Sequence, residues 1–261
     1  MSLVSNLFLL FVLASVLVYY IVPHKWQWLA LLVFSYIYYI AGGLRFVVFI
    51  LFSTIVTWLA ALMIEKVETK GNHKAARKIL IFGLILNFGM LGGVKYTNFA
   101  IENLNALFHM NLRGMAILLP LGISFYTFQS SGYLLDVYWK RCEAEKHPLK
   151  YALFVSFFPQ ILQGPIGRYS RLANQLYAPH KFEGKNIARG FERILWGFFK
   201  KDDPCRLGSG IVDEIFAKSR SVQWTCADRD SLYTLQLYAD FSGGKWMLSL
   251  VLHLCLEIET G

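Results

Sequence analysis

Residues 7–22 carry no charged side chain, and no Lys, Arg, Asp or Glu precedes Lys25. Crossing about 30 Å of hydrocarbon takes roughly 20 helical residues at about 1.5 Å each. A helix apolar on every face must be buried in a large core or in a bilayer. A secretory leader would open with basic residues and close on a small-residue cleavage site. Neither is present, so the first run reads as an uncleaved membrane helix. Four further apolar blocks follow, at 26–40, 44–64, 79–94 and 115–135. The first, third and fifth are long enough to span. The second and fourth are short, which suits helices shielded by neighbours or a locally thinned bilayer. Composition agrees, because 16% charged residues falls well below the roughly 25% usual in soluble domains. The expected fold is all-α, a polytopic transmembrane helix bundle.

Lys and Arg set the orientation. Residues 65–78 hold Lys66, Lys70, Lys74, Arg77 and Lys78, and residues 136–150 hold Lys140, Arg141, Lys146 and Lys150. Basic residues in short loops stay cytoplasmic. Single crossings put both loops on that side, the N-terminus outside, Lys25 inside and Gly42-Gly43 outside. The net charge of +9 is thereby a topology signal. Nucleic-acid binding would gather such charge on one folded face, so no nucleic-acid partner is expected, and membrane lipid is. Trp26, Trp28, Tyr36, Tyr38 and Tyr39 fall near the predicted interfaces, where amphipathic rings prefer to sit. Cys142, Cys205, Cys226 and Cys255 show no paired or metal-ligand spacing, so no metal and no bound cofactor is expected.

Three segments interrupt this pattern with polar groups. In the fifth block, Ser124, Tyr126, Thr127, Gln129, Ser130 and Ser131 form a polar series. Ser124, Thr127 and Ser131 share a helical face, which serves either interhelical hydrogen bonding or the lining of a polar cavity. Residues 151–163 are apolar but hold Pro159 and Gln160. Gly164, Pro165, Ile166, Gly167 and Arg168 follow. Prolines and glycines break a long helix here, and basic residues flank both ends. The segment therefore reads as re-entrant, with 159–168 a site candidate, because irregular backbone at membrane depth must be buried in protein or line a cavity. A peripheral helix lying in the interface is the competing reading. In the third segment, Gln236, Tyr238, Asp240 and Ser242 sit in an apolar aromatic stretch. An acid there is costly in lipid and marks a functional site or a helix-capping partner.

These segments, Leu119 to Gln129, Phe157-Phe158-Pro159-Gln160 with Gly164-Pro165-Ile166, and Gln236 to Gly243, resemble the membrane-bound O-acyltransferase family. The likeness is to its alginate O-acetylation branch. Supporting pieces are Ser5-Asn6-Leu7-Phe8, Lys95-Tyr96-Thr97-Asn98-Phe99 and Tyr133-Leu134-Leu135-Asp136-Val137-Tyr138. The resemblance implies a helix bundle around a channel in a bacterial plasma membrane. An acyl group would arrive from acetyl-CoA or a carrier thioester on the cytoplasmic side. It would leave on a hydroxyl of an extracytoplasmic acceptor protein or polysaccharide. A histidine in a later Trp- and Arg-rich segment acts as the base in the family. That segment has no counterpart before Gly261, and the surroundings of His24, His73, His109, His147, His180 and His253 do not match it.

The resemblance implies that 1–244 is the N-terminal part of such a domain, an incomplete fold with low activity on its own. Residues 202–206 and 223–230 are atypical for it. Residues 246–253, back-translated one base out of frame, can encode Met-Asp-Val-Val-Ile-Gly-Ile-Ala, the kind of apolar helix the family carries there. Residues 245–261 are accordingly expected to be an out-of-frame tail. The other readings are a relative in teichoic-acid D-alanyl transfer, a transporter and a non-catalytic scaffold. A transporter calls for a second broken helix in an inverted repeat, and none is visible.

Overall fold

The computed structural model describes residues 6–108, 120, 122–163 and 167–178, with Glu192 and Thr234. The described residues are helical throughout, without a strand: α1 Asn6–Ile21, α2 Gln27–Gly42, α3 Val47–Glu68, α4 His73–Lys95, α5 Thr97–Phe108, α6 Ile123–Tyr138, α7 Pro148–Ser156, α8 Phe158–Gln163 and α9 Tyr169–Tyr177. The chain divides into two compact units. One comprises Lys25–Leu162 and Ile166–Pro179; the other comprises Met1–His24, Gln163–Pro165 and His180–Gly261. In the latter, α1 presents Leu10, Leu13, Leu17 and Ile21 outward on one face.

Within the larger unit, α3 lies at the centre, packed against α4, α6 and α7, while α2 packs on α7. The α3–α4 hairpin closes through a tight turn in which Gly71 takes φ +74°. Asn72 caps α4 by accepting from the Ala75 amide at 3.2 Å. Small residues let the helices approach. A Cβ at Gly83 of α4 would lie 3.1 Å from Leu134 Cδ1 and 3.4 Å from Ala60 Cβ. Leu44–Glu68 and His73–Lys95 are each long and apolar enough to cross a membrane.

The sorting of residues between inside and outside runs opposite to that of a water-soluble protein. On α3, Val48, Leu51, Ile55, Leu59 and Met63 are exposed, while Ser53, Thr54, Thr57, Ala60 and Ala61 are buried. On α4, Phe82, Ile85 and Phe88 point outward and Asn87 is buried. On α2, Val33, Ile37 and Ile40 point outward and Ser35 is buried. Contiguous apolar rows on several helices have no counterpart on ordinary soluble monomers. Their natural solvent is hydrocarbon, and the chain is an all-α membrane bundle.

Two expectations from the sequence change. The fourth block is not short, because α4 begins at His73 and runs 23 residues. Lys and Arg are good helix formers and extend it beyond the apolar run; its outer face is exposed rather than shielded. The described part of the fifth block is not one continuous span, because α6 begins only at Ile123, after Gly122 at φ +68°. Tyr38 and Tyr39 are buried against neighbouring helices. Residues Thr97–Phe108 form the helix α5.

Candidate functional site

The break between α7 and α8 positions the most distinctive polar contact. Phe157 departs from helical backbone at φ −55°, ψ 105°, so α7 ends after nine residues and α8 starts afresh. Residues Tyr151 to Gln160 are all buried. A helix lying flat in an interface would leave one face exposed, so the segment is a broken, protein-enclosed one. Its backbone is partly satisfied from elsewhere, as irregular chain at membrane depth requires. The Phe158 amide donates to Ser35 Oγ of α2 at 3.3 Å, and Ser35 donates to the Leu31 carbonyl at 2.8 Å. From α6, Gln129 Nε2 donates to the Phe154 carbonyl at 3.0 Å and to Gln160 Oε1 at 2.9 Å. One buried amide thus spans the break.

Two glycines fit closely around this junction. A Cβ at Gly122 would collide with Ile161 Cγ2 and lie 2.7 Å from the Ile161 carbonyl oxygen. A Cβ at Gly167 would lie 2.8 Å from Gln160 Nε2. Glycine is required at Gly122 twice over, for its left-handed backbone and for the approach of α8.

A second polar group lies between α3 and α4. Ser53 Oγ donates to Asn87 Oδ1 at 2.6 Å, and Asn87 Nδ2 donates to Thr57 Oγ1 at 3.1 Å and the Gly83 carbonyl at 2.9 Å. Next to it, the Tyr151 hydroxyl lies beside Thr57 and Ser130. The buried hydroxyls of Tyr126 and Ser156 likewise face those of Tyr39 and Tyr36, while Thr127 and Ser131 have no hydrogen-bond partner among the described residues. Leaving a buried hydroxyl unpaired costs about 1–3 kcal/mol, and most of these hydroxyls face one another across helix interfaces, as polar groups inside a membrane bundle do. The buried polar side chains among the described residues are hydroxyls, phenols and amides, with no carboxylate, imidazole or amine. They can orient and solvate a polar group, and none is a side chain that serves as a general base near neutral pH.

At one end of the bundle, Glu145 ties the 136–150 loop down. Its amide donates to Tyr133 Oη at 2.8 Å, its carbonyl accepts from Trp58 Nε1 at 2.8 Å, and its carboxylate accepts from Tyr169 Oη at 2.7 Å. Burial pushes the phenols of Tyr169 and Tyr177 well up. Burial, with Asp136 and Glu65 nearby, pushes the Cys142 thiol up to about 12.

The structure therefore brings Tyr126, Thr127, Gln129, Pro159 and Gln160 into one buried region. Ser124 is only half-buried and Arg168 is exposed at the start of α9. Gly164, Pro165, Gln236, Tyr238, Asp240 and Ser242 lie outside the described residues, as do 202–206, 223–230 and 245–261. His24, His73 and His147 are exposed, and no group of three metal-ligating side chains occurs among the described residues. Ser35, Ser53, Thr57, Asn87 and Glu145 were missed. Asn87 alone had a signal, as a solitary amide in an apolar run.

No family model matches the chain. It is 32% identical over 247 residues, 92% of its length, to a protein named probable alginate O-acetylase AlgI from Pseudomonas aeruginosa, and covers 46% of that protein. A protein of the same name from Azotobacter vinelandii is 32% identical across 92% of the chain and 48% of its own length. A peptidoglycan O-acetyltransferase from Helicobacter pylori is 31% identical across 85% of the chain and 46% of its own length. The chain spans about half the length of the curated relatives it matches.

Proposed function

We propose, from the premise that the chain belongs to the membrane-bound O-acyltransferase family, that its helices form part of the wall of an acyl-transfer channel in bacterial polysaccharide O-acetylation. The observation that carries this reading is similarity to O-acetylases along nearly the whole chain. The buried amides and hydroxyls of α3, α6, α7 and α8 give the reading a location. They would hydrogen-bond an acyl thioester or an acceptor hydroxyl inside the bilayer, where water cannot. The donor is acetyl-CoA or a carrier thioester from the cytoplasmic side, and the acceptor is an extracytoplasmic polysaccharide or a protein that hands the acetyl group on. The protein crosses the membrane several times, with its N-terminus outside.

In this role the chain's own residues position and desolvate, while the base comes from a histidine segment that the described residues do not contain. The transfer is general-base attack of a hydroxyl on a thioester carbonyl, releasing the thiol.

Deletion of the gene in its host, followed by measurement of ester-linked acetate on the envelope polysaccharide, tests the reading. Loss of acetate, restored by the wild-type gene but not by Q129L/Q160L at equal protein level, is the expected result. Unchanged acetate overturns it. Restoration by both forms points to a scaffold instead.

A further inference from the structure

We infer that the outer face of α4 is a binding site for an anionic phospholipid, with the phosphate held by Lys74, Arg77 and Lys78. On α4, Lys74, Arg77, Lys78, Ile81, Phe82, Ile85 and Phe88 fall on one helical stripe at the 100° step per residue, and all are exposed. The opposite stripe, with Ala76, Leu80, Gly83, Asn87 and Leu91, is buried. The outward stripe is cationic for its first turns and wholly apolar for the next, with the change between Lys78 and Ile81.

The antiparallel helix repeats the change at the same end of the hairpin. On α3 the exposed row Ile55, Leu59 and Met63 gives way to exposed Lys66, with exposed Lys70 in the turn. Both helices thus place the boundary between headgroups and hydrocarbon about one to two turns from Asn72. The two rows face opposite sides of the hairpin and mark the same depth; a ligand lying along the α4 stripe meets apolar surface over its tails and cations over its head, as a phospholipid requires.

Charge within the protein does not account for the cations. No ion pair among the described residues involves Lys66, Lys70, Lys74, Arg77 or Lys78; the nearby carboxylate of Glu68 is engaged by Lys140 at 3.1 Å and His73 at 2.5 Å. Glu65 accepts from the Ala144 amide. The cations also sit at the start of a helix with no acid in its first turn. The helix dipole disfavours positive charge there and favours an anion. A lipid phosphate would reverse that cost and pair the three side chains. Keeping a loop cytoplasmic needs only the cations, not their alignment with an apolar stripe on both helices.

The test titrates the purified full chain in detergent with short-chain phosphatidylglycerol, phosphatidylcholine or inorganic phosphate, and reads retained ligand by native mass spectrometry. Phosphatidylglycerol should be retained, phosphatidylcholine should not, and phosphate should fail to displace it. Removing the three cations in K74Q/R77Q/K78Q should weaken retention by at least about tenfold. The charge-matched K25Q/R45Q/K95Q should leave it within about twofold. Raising salt on the unmodified chain should release the lipid, which needs no variant to fold. Equal retention of both lipids, equal loss in both triple variants, salt-insensitive retention, or displacement by inorganic phosphate would each overturn the proposal.

Discussion

At the level of single residues, the molecule depends on a few polar atoms that have no water to turn to. Gln129 is the clearest case, since its Nε2 serves both the Phe154 carbonyl and Gln160 Oε1. Replacing it by Leu strands the Gln160 amide oxygen in a buried site. A loss of about 1–3 kcal/mol is expected, read as a lower thermal midpoint in detergent. Adding Gln160→Leu should cost less than the sum of the two single changes, because the second removes the stranded partner. Gly122→Ala should be at least as damaging, because its Cβ would meet the Ile161 carbonyl oxygen at 2.7 Å on a left-handed backbone. Cys142 makes a pH prediction. Only its thiolate reacts with maleimide, and burial holds the thiol up to about 12. Its modification at pH 8, followed by peptide mass spectrometry, should be much slower than that of a solvent-exposed cysteine and should rise as the pH approaches 12. A rate equal to that of a free thiol at pH 8 would contradict the burial.

At the scale of elements, small residues and one amide hold α3 against α4. Gly83 lies in contact distance of both Ala60 and Leu134, and Asn87 bonds Ser53 and Thr57 across the interface. Gly83→Leu should force α4 off its neighbours and lower the yield of folded protein. Asn87→Leu should cost about 1 kcal/mol, because interhelical hydrogen bonds in membranes average below that and the hydroxyls left behind can turn to backbone carbonyls. Fluorescence-detected size exclusion after heating separates the two outcomes. Helix existence was readable from the apolar blocks, but helix ends were not. The first turns of α4 are basic and polar, so hydropathy alone stopped at residue 79. Conversely, α6 starts only at Ile123 although the apolar run begins earlier, because the left-handed backbone of Gly122 cannot belong to the helix.

At the scale of the whole molecule, the positive-inside pattern predicts that the 65–78 and 136–150 loops share the cytoplasmic side. Cysteines placed at Lys70 and Lys146 should resist an impermeant thiol reagent in intact cells, whereas one at Gly42 should react. Reaction at Lys70 or Lys146 would reverse the proposed topology. Much of the candidate site was legible beforehand: Gln129, Gln160 and the hydroxyls of α6 stood out because polar groups in apolar runs are expensive and therefore purposeful. That they share one buried region was not legible, since Pro159 marks a helix break in the sequence but does not say which distant helix the residues beyond it will face. The sequence by itself determined the solvent, because the lengths and spacing of charge-free runs leave only a bilayer able to hold them. Only the tertiary structure decided which polar groups face one another. Lipid is indifferent to which apolar face it covers, so the pairing of helices rests on close packing of small residues and on hydrogen bonds between distant segments, and neither is written into local sequence.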